Sequence, residues 1–137
     1  MRMVILLLGS IFCLAFMGCS KIYGPVEEVK AFINEKDDVI LQISKKIEAN
    51  PSEAGVDEAQ KILESKKDSL KAKRQGIRDK SQSINSDWMT MLAQSDVNDN
   101  KYFEAIRVKL AADCKAACSP AQAKLSKIED DFKAAVR

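Results

Sequence analysis

The stretch VEEVKAFINEKDDVILQISKKI, residues 26–47, decides the fold class because its apolar residues recur with a helical period. The apolar residues at every seventh position are Val26, Ile33, Ile40 and Ile47. Val29 and Ile43 lie between them, and Lys36 interrupts the stripe. Such a stripe on an otherwise charged segment predicts an amphipathic helix that packs against another helix.

The segment that follows repeats this pattern after a short loop. Asn50-Pro51 stops the first helix, and residues 50–56 form the predicted loop. A second helix is predicted over residues 57–94, with an apolar residue at every seventh position: Leu63, Leu70, Ile77, Ile84 and Met91. Gly76 inside this helix costs about 1 kcal/mol relative to alanine. We therefore expect either close packing of a neighbouring backbone or a kink at Gly76.

Turn-forming residues separate a third rod from the second helix. The sequence SDVNDN at residues 95–100 predicts a connection rich in helix N-caps. The third helix is interrupted at Ser119-Pro120, where a serine N-cap followed by proline is a restart signal. The apolar residues of its two pieces are Phe103, Ile106, Leu110, Cys114 and Ala117, then Leu125, Ile128, Phe132 and Ala135.

These three rods predict an all-α fold. Folding the first helix antiparallel onto the second about Gly55 brings their apolar stripes into register, and a turn near Asn98 lays the third rod beside them. The sequence therefore predicts one domain at residues 25–137, an elongated antiparallel three-helix bundle with the third helix broken at Ser119-Pro120. An extended coiled-coil dimer is the alternative, because it would use the same stripes.

Residues 1–18, MRMVILLLGSIFCLAFMG, have the order of features of an export signal. The basic residue Arg2 precedes an apolar stretch, and small residues follow it. The apolar stretch from Met3 to Met17 spans about 22 Å as a helix, which is short of the ~30 Å hydrocarbon core of a membrane. We therefore expect this segment to be a cleaved signal peptide.

The residues at the end of that segment, Phe16-Met17-Gly18-Cys19, resemble a bacterial lipobox. In a lipobox, a small residue precedes a cysteine that receives diacylglycerol and then becomes the N-terminus. The resemblance implies a lipidated Cys19, a tether at residues 19–24 and a protein that faces the periplasm. Ser20 stands where an aspartate retains such proteins at the inner membrane of enteric-type bacteria, so the outer membrane is favoured. Acyl chains contribute about 0.8 kcal/mol per buried methylene, and the membrane is therefore the first expected partner.

Two cysteines remain once Cys13 is assigned to the signal and Cys19 to the lipid. Cys114 and Cys118 lie four positions apart, so a helix sets their Cα atoms about 6 Å apart, within the range of a disulfide. An oxidising compartment favours an intrachain bridge between them. A disulfide to another chain and a redox role are the alternatives, although the spacing is not the Cys-x-x-Cys of thioredoxin-like proteins.

A basic stretch at residues 66–80 of the second predicted helix is another candidate site. Its cationic residues are Lys66, Lys67, Lys71, Lys73, Arg74, Arg78 and Lys80, against the acidic residues Asp68 and Asp79. Such a stretch predicts contact with an anionic surface such as lipid headgroups. The alternative is charge pairing within the helical hairpin, where the register sets Lys73 opposite Asp37.

The segment Trp88-Met89-Thr90-Met91-Leu92, with Tyr102 and Phe103 after it, is the main aromatic concentration. We expect most of these side chains to form the core at one end of the bundle. Any of them that stays exposed would make an adaptable apolar contact.

The composition argues against several classes of function. The 137 residues contain no histidine, which removes Ser-His and Cys-His nucleophile pairs and imidazole metal ligands. The net charge of +2 and the lack of a phosphate-binding loop argue against nucleic acid as a partner. We therefore predict no enzyme activity, no catalytic residues, no metal and no cofactor. The expected role is a lipid-anchored periplasmic binding or scaffolding protein with an envelope protein partner, and a chaperone-like or stress-adaptor protein is the alternative.

Overall fold

The computed structural model describes residues 25–80, 86–114 and 118–137. These residues form four helices and no strand, so the all-α prediction is confirmed. The helices are α1 (Val26–Ala49), α2 (Glu53–Lys80), α3 (Ser86–Asp113) and α4 (Cys118–Val136). The predicted signal peptide, Cys19 and the tether at residues 19–24 lie outside the described residues.

The four helices pack around one core in the order α1, α2, α4, α3. Helix α1 packs on α2 and α3, and α4 packs on the same two helices from the other side. Glu48 near the end of α1 pairs with Lys109 near the end of α3, so these two neighbours run parallel. Asp57 near the start of α2 likewise pairs with Lys124 near the start of α4. The predicted count of three rods is therefore wrong by one for the described residues.

The extra helix arises because the predicted turn at residues 95–100 is helical. It lies in the middle of α3, and the second helix ends at Lys80 instead of Gln94. Ser95 and Asp99 are buried, and Asp99 accepts a hydrogen bond from Lys36 of α1. This tertiary contact overrides the local preference of Asn, Asp and Ser for turns.

The predicted break at Ser119-Pro120 is also displaced. Helix α3 ends at Asp113 and α4 begins at Cys118, so Ser119-Pro120 lies in the first turn of α4. Proline is tolerated there because the first turn of a helix needs no donor from its backbone nitrogens.

Helices α1 and α2 form an antiparallel hairpin, with a register slightly different from the predicted one. Lys73 forms an ion pair with Glu35, two positions before the predicted Asp37. Lys80 pairs with Glu28 at 2.8 Å, at the open end of the hairpin. The difference arises because the connection is shorter than expected: α2 begins at Glu53, so only residues 50–52 link the two helices.

Most of the predicted apolar positions lie in the core, but the stripe on α1 is only partly correct. The predicted Val26 and Ile33 are partly buried, whereas Phe32 and Val39, which lie outside the predicted stripe, are buried.

The core joins all four helices. Phe32 of α1 and Leu63 of α2 are both buried in it. The rings of Phe103 in α3 and Phe132 in α4 lie 5.4 Å apart between centroids and join the remaining pair of helices. One charged side chain, that of Lys36, is completely buried beside this core.

The two helical glycines give a matched test of backbone packing. A Cβ atom on Gly55 would lie 1.8 Å from the carbonyl oxygen of Asn50, whereas a Cβ on Gly76 meets nothing within 4 Å. The expectation of close packing at Gly76 is therefore wrong. Gly55→Ala is expected to lower the free energy of unfolding by about 1–3 kcal/mol through overpacking, and Gly76→Ala to raise it by about 0.5–1 kcal/mol.

Urea unfolding followed by circular dichroism measures both glycine variants. Equal changes in the two variants would contradict the close approach of Gly55 to the loop at residues 50–52.

Candidate functional site

An apolar groove of about 360 Å³ lies between the parallel helices α1 and α3. Four buried side chains form its floor: Ile40, Ile47, Ile106 and Leu110. Leu41 and Tyr102 stand on its two edges and are 50% and 45% exposed. The volume lies within the range of clefts that bind ligands or partner side chains.

The sequence builds this groove from positions next to the core stripes. Ile40 and Ile47 are one heptad apart on α1, and Leu41 follows Ile40 directly, so it projects to one side of the stripe. On α3, Tyr102 stands in the same way beside the buried Phe103. A large apolar side chain beside a buried stripe adds apolar surface that the packing of the four helices does not bury.

The rim of the groove carries more carboxylates than cations. Glu48 and Lys109 pair at 3.1 Å, and this hydrogen bond from Lys109 lowers the pKa of Glu48. Asp37 and Asp113 also lie on the rim, and neither pairs with another described residue. Burial raises the pKa of Asp37, because its half-buried carboxylate gains only a weak attraction from Lys36. The rim therefore presents negative charge at both ends of an apolar floor.

A buried ionic cluster lies next to the near end of the groove, where α1 meets α3. The Lys36 ammonium donates to Asp99 Oδ2 at 2.5 Å and to Asp96 Oδ1 at 3.3 Å. The other carboxylate oxygen of Asp99 is buried without a partner among the described residues, and so is the Ser95 hydroxyl one turn earlier. Burial raises the pKa of Asp99, and the hydrogen bond from Lys36 opposes that effect. This cluster fixes the register of α3 on α1, because an unpaired buried charge would be costly.

The structure separates the members of the predicted basic stretch. Lys73 and Lys80 are paired with glutamates of α1, and Arg74 Nε donates to the carbonyl of Arg137 at 3.4 Å. Within the described parts of the chain, Lys67 and Lys71 form no ion pair. The other two cationic residues of the predicted stretch, Lys66 and Arg78, are exposed. Part of the stretch thus balances charge inside the hairpin.

The predicted cysteine pair lies at the connection between α3 and α4. The Cα atoms of Cys114 and Cys118 are 5.7 Å apart, and the structure joins the two sulfurs as an intrachain disulfide. Cys114 directly follows Asp113, which lines the groove, so the disulfide lies next to the far end of the groove.

The aromatic segment of α3 divides between core and surface. Trp88 and Leu92 are buried, and Met89 is 53% exposed. Tyr102, which was expected at the end of the bundle, stands on the groove instead. Leu41 is not among the residues predicted from the sequence, and the signal that marks it is an apolar residue directly beside a heptad position.

Comparisons with known proteins identify no relative for this chain. No protein-family model, no curated protein and no solved structure matches it. In the part of the chain that the structure describes, none of the helices combines the length and apolar character needed to cross a membrane. The same part contains no group of three or more His, Cys, Asp or Glu side chains placed to hold a metal ion.

Proposed function

We propose that this chain is a lipid-anchored helical protein of a bacterial envelope that binds another envelope protein through the α1–α3 groove. The groove carries the proposal, since Leu41 and Tyr102 expose apolar surface next to a buried apolar floor. Exposed apolar surface beside a cleft marks interaction sites on proteins. The export-signal pattern and the lipobox resemblance support the envelope as its location.

The position of the groove on α1 suits a protein held at its N-terminal end. Pro25 begins the described chain, and Asp37 at the near end of the groove lies about 18 Å further along α1. A tether of residues 19–24 would reach at most about 21 Å. With a lipid on Cys19, the groove would lie on the half of α1 that is farther along the chain from the anchor.

Two alternatives use other features of the same bundle. A periplasmic chaperone-like or stress-adaptor protein would use the groove for many unfolded clients instead of one partner. A membrane-surface binder would use the basic stretch at residues 66–80, but the ion pairs of Lys73 and Lys80 with α1 reduce the charge available to lipid. The groove therefore favours binding of a protein.

Site-specific photo-crosslinking in cells tests the groove. A photoreactive amino acid at Leu41 or Tyr102 is expected to give a discrete light-dependent adduct with one partner. Val108 and Val97 are matched controls because they are 60% and 47% exposed and lie outside the groove. Equal adducts at the control positions, or none at the groove positions, would contradict the proposal, and a broad smear of adducts would favour the chaperone-like role.

A further inference from the structure

The groove combines lining residues at helical spacing with a negatively charged rim. Its lining residues advance by three or four positions on both α1 and α3. From Asp37 to Glu48 the groove follows α1 for about 17 Å, which is three helical turns. Two parallel helices with such spacing form holes that accept the side chains of a further helix.

The floor of the groove sets the apolar requirement for that helix. Ile40, Ile47, Ile106 and Leu110 form the apolar floor. Ser44 lies between the two isoleucines, and its hydroxyl group donates a hydrogen bond to Glu48 at 3.0 Å. A helix that places apolar residues at positions i, i+3, i+4 and i+7 matches such a floor. Leu41 and Tyr102 would flank it on either side, and their exposed area would be buried on docking.

The rim sets the charge requirement. Asp37 lies at the near end of the groove. The ion pair between Glu48 and Lys109 marks the far end. Asp113 lies one helical turn beyond Lys109, and it therefore also lies at the far end. Asp96 and Asp99 add negative charge next to the near end, and the Lys36 ammonium is already bound to both of them. Asp37 and Asp113 form no ion pair with another described residue, and the proposed partner would supply cations for both.

Resting on the function proposed above, we infer that the partner presents a basic amphipathic helix to this groove. Its apolar stripe packs on the floor, and Lys or Arg side chains about two heptads apart reach Asp37 and Asp113. The spacing follows from the axial distance between the two aspartates, which is about 21 Å along parallel helices.

Two synthetic peptides test the inference on the mature protein in detergent. The basic probe is an 18-residue helix with Leu at heptad positions a and d and Lys in its first and last turns. The acidic probe has the same Leu positions and Glu in place of Lys. Fluorescence anisotropy is expected to show that the basic probe binds at least about tenfold more tightly, because like charges at the rim repel the acidic one.

The double variant Asp37→Asn/Asp113→Asn is expected to weaken binding of the basic probe about tenfold, which corresponds to about 1.4 kcal/mol for the two rim contacts together. The matched control is Asp68→Asn/Asp130→Asn, which makes the same change of charge at exposed positions outside the groove. The control is expected to bind like the native protein.

Three results would overturn the inference. They are equal affinity for both probes, an equal loss in the control variant, and no binding of either probe. A Leu41 crosslink to a second copy of the chain would also overturn it, because the groove would then be a dimer interface. The cellular crosslinks at Leu41 and Tyr102 do not depend on probe charge, so a discrete adduct with another protein would preserve the proposed function even if the peptides fail.

Discussion

Lys36→Met is expected to lower the free energy of unfolding by about 3–5 kcal/mol, because it leaves a buried carboxylate without its counter-charge. The Lys36 side chain is completely buried, and Asp99, its main partner, has 4% of its side chain exposed. Methionine keeps most of the length of the lysine stem and removes only the ammonium. The loss of stability therefore arises from the unpaired charge of Asp99 more than from a cavity. Urea unfolding at neutral pH measures this loss.

The double variant Lys36→Met/Asp99→Leu is the matched control. It removes both charges, together with the Asp99 oxygen that has no partner among the described residues. Replacing a whole buried pair by apolar residues is often neutral or stabilising, so most of the lost stability is expected to return. A single variant within about 1 kcal/mol of the native protein would contradict the role of this pair.

The deficit of Lys36→Met is also expected to depend on pH. Burial raises the pKa of Asp99 in the folded state, so its protonated form stabilises the fold at low pH. This contribution is lost as the pH rises through the folded-state pKa. Removing the Lys36 ammonium removes the hydrogen bond and the attraction that lower this pKa, so the effect is larger in the variant than in the native protein. The variant should therefore lie closer to the native protein near pH 4 than near pH 7.

Cys19→Ser is expected to abolish both acylation and cleavage of the export signal. The lipobox resemblance implies that the cysteine is acylated before it becomes the N-terminus, and serine lacks the thiol that accepts the lipid. Metabolic labelling with a fatty-acid analogue, read on a gel, measures both effects in one experiment. The labelled band should disappear, and the precursor that retains residues 1–18 should accumulate.

Cys13→Ser is the matched control for this variant, because it removes a thiol from the same apolar segment outside the lipobox. It is expected to be labelled and cleaved like the native protein. Cleavage of the Cys19→Ser protein to its mature size would contradict the anchor and indicate ordinary secretion.

The helical class and the α1–α2 hairpin could be predicted from the sequence because both follow from local periodicity. The heptad stripes on residues 26–47 and 57–77 need no knowledge of distant contacts. The number of helices could not be predicted in this way. Asp99 is 63 positions from Lys36, and only their contact shows why residues 95–100 are helical.

The candidate site was harder to predict than the fold. The groove requires α1 and α3 to lie side by side, whereas the sequence predicts a second helix that ends at Gln94, inside the observed α3. Leu41 and Tyr102 became meaningful only when that packing placed them on two edges of one groove. Lys36 is visible in the sequence as an interruption of the stripe, but the sequence predicts a turn at its aspartate partners.

Attachment through a lipid on Cys19 is the claim on which the orientation of the groove depends. Intact-mass spectrometry of the protein purified from its own membranes tests it most directly. We expect a chain that begins at Cys19 and carries the added mass of its acyl groups. A mature chain without acyl mass, or one that begins at another residue, would contradict the lipid anchor.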